Sequence, residues 1–459
     1  MRPSRFIVAM FVSLALPTLV GTCSAQTVTI LYSFPKKGGL TQDLALIQGR
    51  DGQLYGTTVA GGTDGDGTVF KISTLGVVRA VYSFDSIHGA GPVGGLSLAS
   101  DGSFYGTTAA GGSGTPPEGV IFKVSPSRAE QVLVNLDDST GVAIIPPVEA
   151  TDGNLYGETD GTGGRTSVGG LFKLTGGGVF STLYTFDGLL GSYPEGKLVQ
   201  ATDNRLYGVA DSGGAHGCGS IFEFALNSLP ISAYDFDCVT ANNPVGGLIL
   251  ANDGNFYGTT DAGGTHGLGV IYRFDQSGVF TVLYNFGDTA FDSFTHSAVV
   301  QATDGNLYGT IPSGGVYGYG TLFQITLQGV YTRISDFSVN GPHSVDSGLM
   351  QHTNGAIYGE SRGGGSGDTG TIYRLDMGLG PFVAFVIPTG KVGKSAQILG
   401  QGLTGTTSVT FNGVEAASFK VVSDTYVTAV VPSDATTGKV VVTMPSGALT
   451  SNVNFRIIQ

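Results

Sequence analysis

Two histidines and a tyrosine stand at one place in a recurring glycine-rich phrase. The copies are Gly213-Gly-Ala-His-Gly-Cys-Gly219, Gly263-Gly-Thr-His-Gly-Leu-Gly269 and Gly314-Gly-Val-Tyr-Gly-Tyr-Gly320, carrying His216, His266 and Tyr317. If the fold sets these loops side by side, two imidazoles and a phenol share a groove that could hold a polar ligand or a metal ion. The competing reading is a loop position that accepts any medium-sized side chain. An earlier copy, Gly61-Gly-Thr-Asp-Gly-Asp-Gly67, carries Asp64 and Asp66. Alternating carboxylates suit calcium, the one cofactor this chain suggests, although the third acid and distal glutamate of a calcium loop are missing. A solvated turn uses the same aspartates for local geometry.

Catalytic patterns are poorer. Gly359-Glu-Ser-Arg-Gly363 has the Gly-x-Ser-x-Gly form, but that elbow needs a strand–turn–helix setting and a partnered histidine. Here Ser361 ends a strand-like run. Glu158 and Glu360 replace threonines of the Thr57 type on copies far apart, so they do not form a carboxylate pair. No Gly-Lys-Ser/Thr follows the glycine loops, which therefore are not phosphate loops. No histidine cluster has metal-ligand spacing. No residue is assigned a catalytic role.

The loops belong to a repeat. Asp51-Gly-Gln-Leu-Tyr-Gly56 returns seven times in all, with its tyrosine at 55, 105, 156, 207, 257, 308 and 358. A fixed step of 50 or 51 residues means a propeller, a solenoid or an array. Three strand-like runs keep step with it: Val69-Phe-Lys-Ile72, Val81-Tyr-Ser-Phe84 and Pro92-Val-Gly-Gly-Leu-Ser-Leu-Ala99. All are short, β-branched or aromatic, and bounded by turn residues, and no helical period is sustained. The Asp-Gly pairs supply the positive φ of a tight turn between the first two strands. Each copy reads as a four-stranded antiparallel meander. Such a sheet buries both faces only when neighbours flank it, which is the arrangement of propeller blades. Gly-Gly pairs suit the innermost strand, where the blades crowd the axis.

Thr27-Val-Thr-Ile-Leu-Tyr-Ser-Phe34 precedes every Asp-Gly turn, and the last Ile-Tyr-Arg run, near Asp376, has no fourth strand after it. Joining the orphan to the unfinished copy predicts an all-β, seven-bladed propeller closed by the N-terminal strand, with no unpaired edge at the join. By strand direction, the loops between second and third strands share a face with the connections between blades. That face is the expected ligand surface.

Residues 1–25 read as a signal peptide, with Arg2 and Arg5, an apolar run from Phe6 to Val20, and Cys23-Ser-Ala25 as the cleavage site. After cleavage no transmembrane span is expected, and the protein is expected to be secreted, periplasmic or on the cell surface. Loss of two arginines takes the formal net charge from −13 to −15. That sign argues against a nucleic-acid partner. Cys218 and Cys238 then remain. If 225 pairs with 231 in the hairpin between them, 218 lies opposite 238, within disulfide range. An exported protein would keep that bond.

After Asp376 the repeat stops. Residues 377–382 read as a linker, and 383–459 as an immunoglobulin-like β-sandwich of short strands with frequent turns. Residues 26–376 read as the propeller, and within it 27–376 resemble the GloVer tandem repeats of exported bacterial proteins, through Asp-Gly-x-Leu-Tyr-Gly, the Gly-Gly pair after it and the Tyr-x-Phe strand. Residues 383–458 resemble the IPT/TIG domain, through Ile387-Pro-Thr-Gly390, Gly400-Gln-Gly-Leu403, Val409-Thr-Phe-Asn-Gly413 and Gly438-Lys-Val-Val-Val442. The first resemblance implies a surface or secreted protein, and the second a spacer or binding module. Neither carries catalytic residues across.

The function expected from these readings is a non-enzymatic binding or scaffold protein, working through a loop-lined propeller face on an extracellular glycan or protein. The alternative is a carbohydrate-active hydrolase or lyase on the same scaffold. The absence of Trp weakens the alternative, since sugar sites favour flat aromatics, although 19 Tyr are present. Oligomeric state is not legible in the sequence.

Overall fold

The computed structural model describes residues 27–35, 45–127, 130–161, 168–289, 293, 295 and 297–458, so the expected signal segment lies outside it. Among the described residues there are strands and no helices, and none long and apolar enough to cross a membrane. The repeat region forms seven four-stranded antiparallel sheets. Sheets 1 to 6 span 47–83, 90–135, 148–185, 192–235, 242–285 and 300–336; sheet 7 spans 350–376 and takes Thr27–Ser33 as its fourth strand. That N-terminal strand pairs antiparallel with Thr371–Asp376, from Thr27 opposite Asp376 to Ser33 opposite Thr371.

The aspartate, the tyrosine and the last glycine of the repeated phrase each have a structural role. The aspartate caps its own turn: Asp304 Oδ1 accepts the Asn306 N–H at 3.1 Å, while its Oδ2 accepts the Tyr308 hydroxyl at 2.8 Å. The same tyrosine-to-aspartate bond recurs at Asp51, Asp101, Asp152, Asp203 and Asp253. In sheet 7 Asn354 replaces the aspartate and reverses the bond, its Nδ2 donating to the Tyr358 oxygen at 2.9 Å. The glycine after the tyrosine is there for space. A methyl on Gly106, Gly157, Gly208 or Gly309 would run into the third-strand phenylalanine, respectively Phe122, Phe172, Phe222 and Phe323.

Second strands such as Leu54–Thr58 are buried along their whole length, because neighbouring sheets cover both faces. Hydrophobic clusters join consecutive sheets. One joins the seventh to the first: Phe34, Tyr358 and Ile372 pack with Leu46, Leu54, Phe70 and Ile72. First strands approach closely at glycines: Gly196 lies against Gly247, and Gly246 against Ala298 just before the first strand of sheet 6, so a methyl at either would meet backbone. Beside them Lys197 Nζ donates to the Leu96 carbonyl of sheet 2 at 2.8 Å. Burial pushes that amine down to about 8.

Two four-stranded antiparallel sheets follow, with orders Ala384–Phe385, Ser395–Leu399, Tyr426–Val430, Ser418–Ser423 and Val414–Glu415, Ser408–Phe411, Val440–Met444, Gly447–Thr450. They share one core that includes Ile398, Val409, Phe411, Val427, Val440 and Phe455. This unit rests on the Asp-Gly turns of the repeat. Arg50 Nη2 reaches the Ser100 carbonyl at 2.7 Å and Gln397 Oε1 at 2.5 Å, and the guanidinium lies over the Tyr426 ring. Thr425 Oγ1 donates to the Arg50 carbonyl at 2.7 Å, and Gln401 Nε2 to Thr353 Oγ1 at 3.0 Å. The segment expected as a linker is held as well: Phe382 is buried, and its N–H donates to the Thr353 carbonyl at 3.1 Å.

Candidate ligand-binding site

With one face occupied by the C-terminal unit, the opposite face carries the second-to-third-strand loops and the connections between sheets. Between sheets 6 and 7 that face opens into a cleft of about 470 Å³, lined by Ser313, His343, Asp346, Arg362, Gly363 and Asp368 among others. His343 lies on the connection into sheet 7 and bridges antiparallel to Gly363. Its ring rests on that glycine, where any side chain would collide with the imidazole. His343 Nε2 lies 2.8 Å from Asp368 Oδ1, which also accepts the Gly364 N–H at 2.8 Å. Tyr319 flanks the ring, 5.3 Å between centroids. Arg362 Nε and Asp346 Oδ2 form an ion pair at 3.1 Å. Ser344 takes a positive φ of 53°, a conformation that costs about 1 kcal/mol or more outside glycine and recurs at functional positions.

Glu360, which precedes Ser361 and Arg362 in the chain, is buried, and its carboxyl has no hydrogen-bond partner among the described residues. Desolvation holds its carboxyl well above the usual carboxylate range. Burial, then the charges of Glu360 and Asp346, push the Tyr373 phenol upward too. The cleft thus offers an imidazole, a guanidinium and two carboxylates, a set suited to a polar ligand. Of the hydroxyls in and beside it, Ser344 Oγ lies 3.5 Å from His343 Nδ1, and the Ser361 hydroxyl is buried, donating to the Gly363 carbonyl at 2.8 Å and lying 2.7 Å from Thr371 Oγ1.

His216, His266 and Tyr317 occupy loops of one shape, with positive φ at the same four glycines in each copy. All three are exposed, on successive sheets, and none lines the cleft. His266 Nε2 instead lies 2.9 Å from Asp288 Oδ1. Asp66 accepts the Ser86 hydroxyl, and its carbonyl accepts the Gly91 N–H at 2.8 Å, which ties the loop to the connection into sheet 2. Asp64 is exposed, and no group of three or more His, Cys, Asp or Glu among the described residues is placed to hold a metal.

Cys218 and Cys238 are bonded, with Cα atoms 5.3 Å apart. The register behind that expectation needs correction. Glu223 pairs with Ile231, and the ladder shifts between Ile221 and Phe222, so Ser220 meets Asp235. The strands end there, and both cysteines lie beyond them in loops, Cys238 at a φ of 69°. The bond joins a second-to-third-strand loop to a connection between sheets, as the Asp66–Ser86 contact does in the first repeat.

The cleft residues escaped the sequence reading because they break the repeat. A repeat points to like residues at equivalent positions, whereas Arg362 and Asp368 sit where the last copy departs from the others. Those departures were the available signal.

No curated protein matches the chain significantly. Among solved structures, the extracellular domain assigned to a hybrid two component system of B. thetaiotaomicron aligns with a TM-score of 0.51 at 15% identity, over 95% of this chain and 55% of that one. The chain therefore spans about half the length of that neighbour, and the likeness shows the fold alone. A fungal alcohol oxidase of the AA5 family in complex with copper aligns at a TM-score of 0.46 and 13% identity, over 94% and 99% of the two chains. A gluconolactonase from Xanthomonas campestris aligns at 0.40 and 10%, over 76% and 89%. Neither of those two likenesses is strong enough to carry an argument. The sequence itself is decisive on kinship: the Gloeobacter/Verrucomicrobia repeat matches residues 20–204 and 113–297, more than half of the chain, and the protein belongs to that repeat family.

Proposed function

We propose that this is a secreted or surface-located, non-enzymatic binding and scaffold protein, in which a closed seven-bladed propeller (26–376) presents its loop face to an extracellular glycan or protein. In this reading 383–459 is an immunoglobulin-like module of the IPT/TIG kind, joined through 377–382, that braces the other face. One observation carries it: the C-terminal unit packs on the Asp-Gly turns, so the face with the His343 cleft is left free. On loops and connections of that face Ile87, Leu189, Val239 and Tyr317 stand exposed. The disulfide and the extracellular origin of the neighbour with the highest TM-score reported above favour export.

The test is retention of the purified chain on immobilised cell-wall and extracellular glycans and surface proteins, with soluble products assayed alongside. Saturable retention without product, lost in Arg362→Ala, is expected. Product release would favour a hydrolase or lyase and overturn the reading. His216, His266 and Tyr317 extend the same surface, and their combined alanine variant should weaken retention. Calcium at Asp64 and Asp66 is tested by melting the chain with calcium and with chelator. A rise with calcium supports the ion, and an unchanged midpoint rejects it.

A further inference from the structure

A second cavity, of about 450 Å³, lies where the C-terminal unit meets the repeat region, away from the loop face. Leu198, Val199 and Leu250, from the first strands of sheets 4 and 5, form one wall. Ile387, Pro388 and Val453 form the other. Clefts of this size, apolar with a few polar groups and placed between structural units, are where proteins commonly hold small molecules.

Three charged residues line it, and two are already engaged. Glu149 accepts the Ser100 N–H and hydroxyl, each at 2.6 Å. Asp253 accepts the Asn255 side chain and the Tyr257 hydroxyl, each at 2.8 Å. Arg456 is not fully engaged. Its Nη2 donates to the Gln200 carbonyl at 2.8 Å, while Nη1 is buried without a hydrogen-bond partner among the described residues. Thr389, paired with Arg456 in a parallel bridge, also lines the cavity, and its Oγ1 is buried and unpartnered too. A buried guanidinium N–H left unmade costs free energy that an incoming acceptor recovers. An anion is the natural acceptor, since a charge-assisted bond is about twice as strong as a neutral one.

We propose that this cavity binds a small amphipathic acid, its aliphatic or aromatic body between Leu198, Leu250 and Pro388 and its carboxylate on Arg456 Nη1, with the Thr389 hydroxyl as second donor. Touching both units, the ligand stabilises their docking by mass action. This site is independent of the loop face and of whatever that face binds.

The full chain is titrated calorimetrically with decanoate, below its micellar range, and with decanol as the uncharged control. One saturable decanoate site is expected, with a rise in melting midpoint. Arg456→Gln should weaken decanoate by at least about tenfold, the loss of one charge-assisted bond, and leave decanol unchanged. Val453→Trp, which fills the cavity from its rim, should abolish binding while the melt stays cooperative. No saturable decanoate binding overturns the proposal. So does decanoate affinity that neither substitution changes, and so does an equal loss of decanoate and decanol in Arg456→Gln.

Discussion

Glu360 replaces a threonine of the Thr57 type, and the change moves a carboxyl into a site with nothing to bond it. Burial therefore favours the protonated acid, and Glu158 repeats the case beside the charge of Glu195. The sign follows from linkage: with the folded-state value raised, stability is fully present below the unfolded value near 4.3 and is lost as pH rises toward the folded one. Glu360→Gln should then raise the melting midpoint, little at pH 4 and by several degrees at pH 8. A gain that shrinks with rising pH would refute the assignment. At Gly363 the demand is steric. Gly363→Ala should displace the His343 ring, seen as altered imidazole signals in NMR spectra while those of the distant His88 stay in place. Ligand retention should fall with it. The Thr57-type position was readable in the sequence, but the missing partner was not, because hydrogen-bond supply at residue 360 depends on the neighbouring sheet.

Strands were legible where local pattern and burial agree. Third strands such as Val69-Phe-Lys-Ile72 lie where the repeat puts them, since both faces are covered and the middle polar residue marks the exposed point. First strands were not uniformly legible: in sheets 1, 3, 6 and 7 they shorten to two residues, as in Ile47–Gln48 and Val148–Glu149. Packing around the axis holds these, and no alternation betrays them. The ladder shift at Ile221 was hidden for the same reason, being a response to twist between neighbouring strands. Two measurements act at this scale. Tyr308→Phe removes the bond to Asp304 and should cost about 1–3 kcal/mol, visible as a lower denaturation midpoint. Cys218→Ser with Cys238→Ser opens a loop of 20 residues and should cost about 3 kcal/mol in the same assay. An unchanged midpoint in the double variant would show that the disulfide adds no stability.

The molecule as a whole depends on two meetings of distant chain. In one, Thr27–Ser33 completes the seventh sheet. In the other, Arg50 ties the first two sheets to the C-terminal unit through Ser100, Gln397 and Tyr426. Arg50→Ala should loosen the second meeting without touching the first. Protease should then cut faster within 377–382, and small-angle scattering should report a larger radius, while the repeat region melts as before. Equal cleavage rates for wild type and variant would place the docking energy elsewhere. The period, the strand pattern of a single copy, the all-β character and the cysteine pair can be read from the residues, because these rest on contacts within one repeat, such as a tyrosine reaching back four residues to its aspartate. Folding of the whole chain settles which face stays open, that His343 meets Asp368 on Gly363, and that Arg456 keeps an unused N–H in a cavity between units. Those meetings join residues up to several hundred positions apart, and their geometry follows from how whole sheets stack and units dock, which no local pattern encodes.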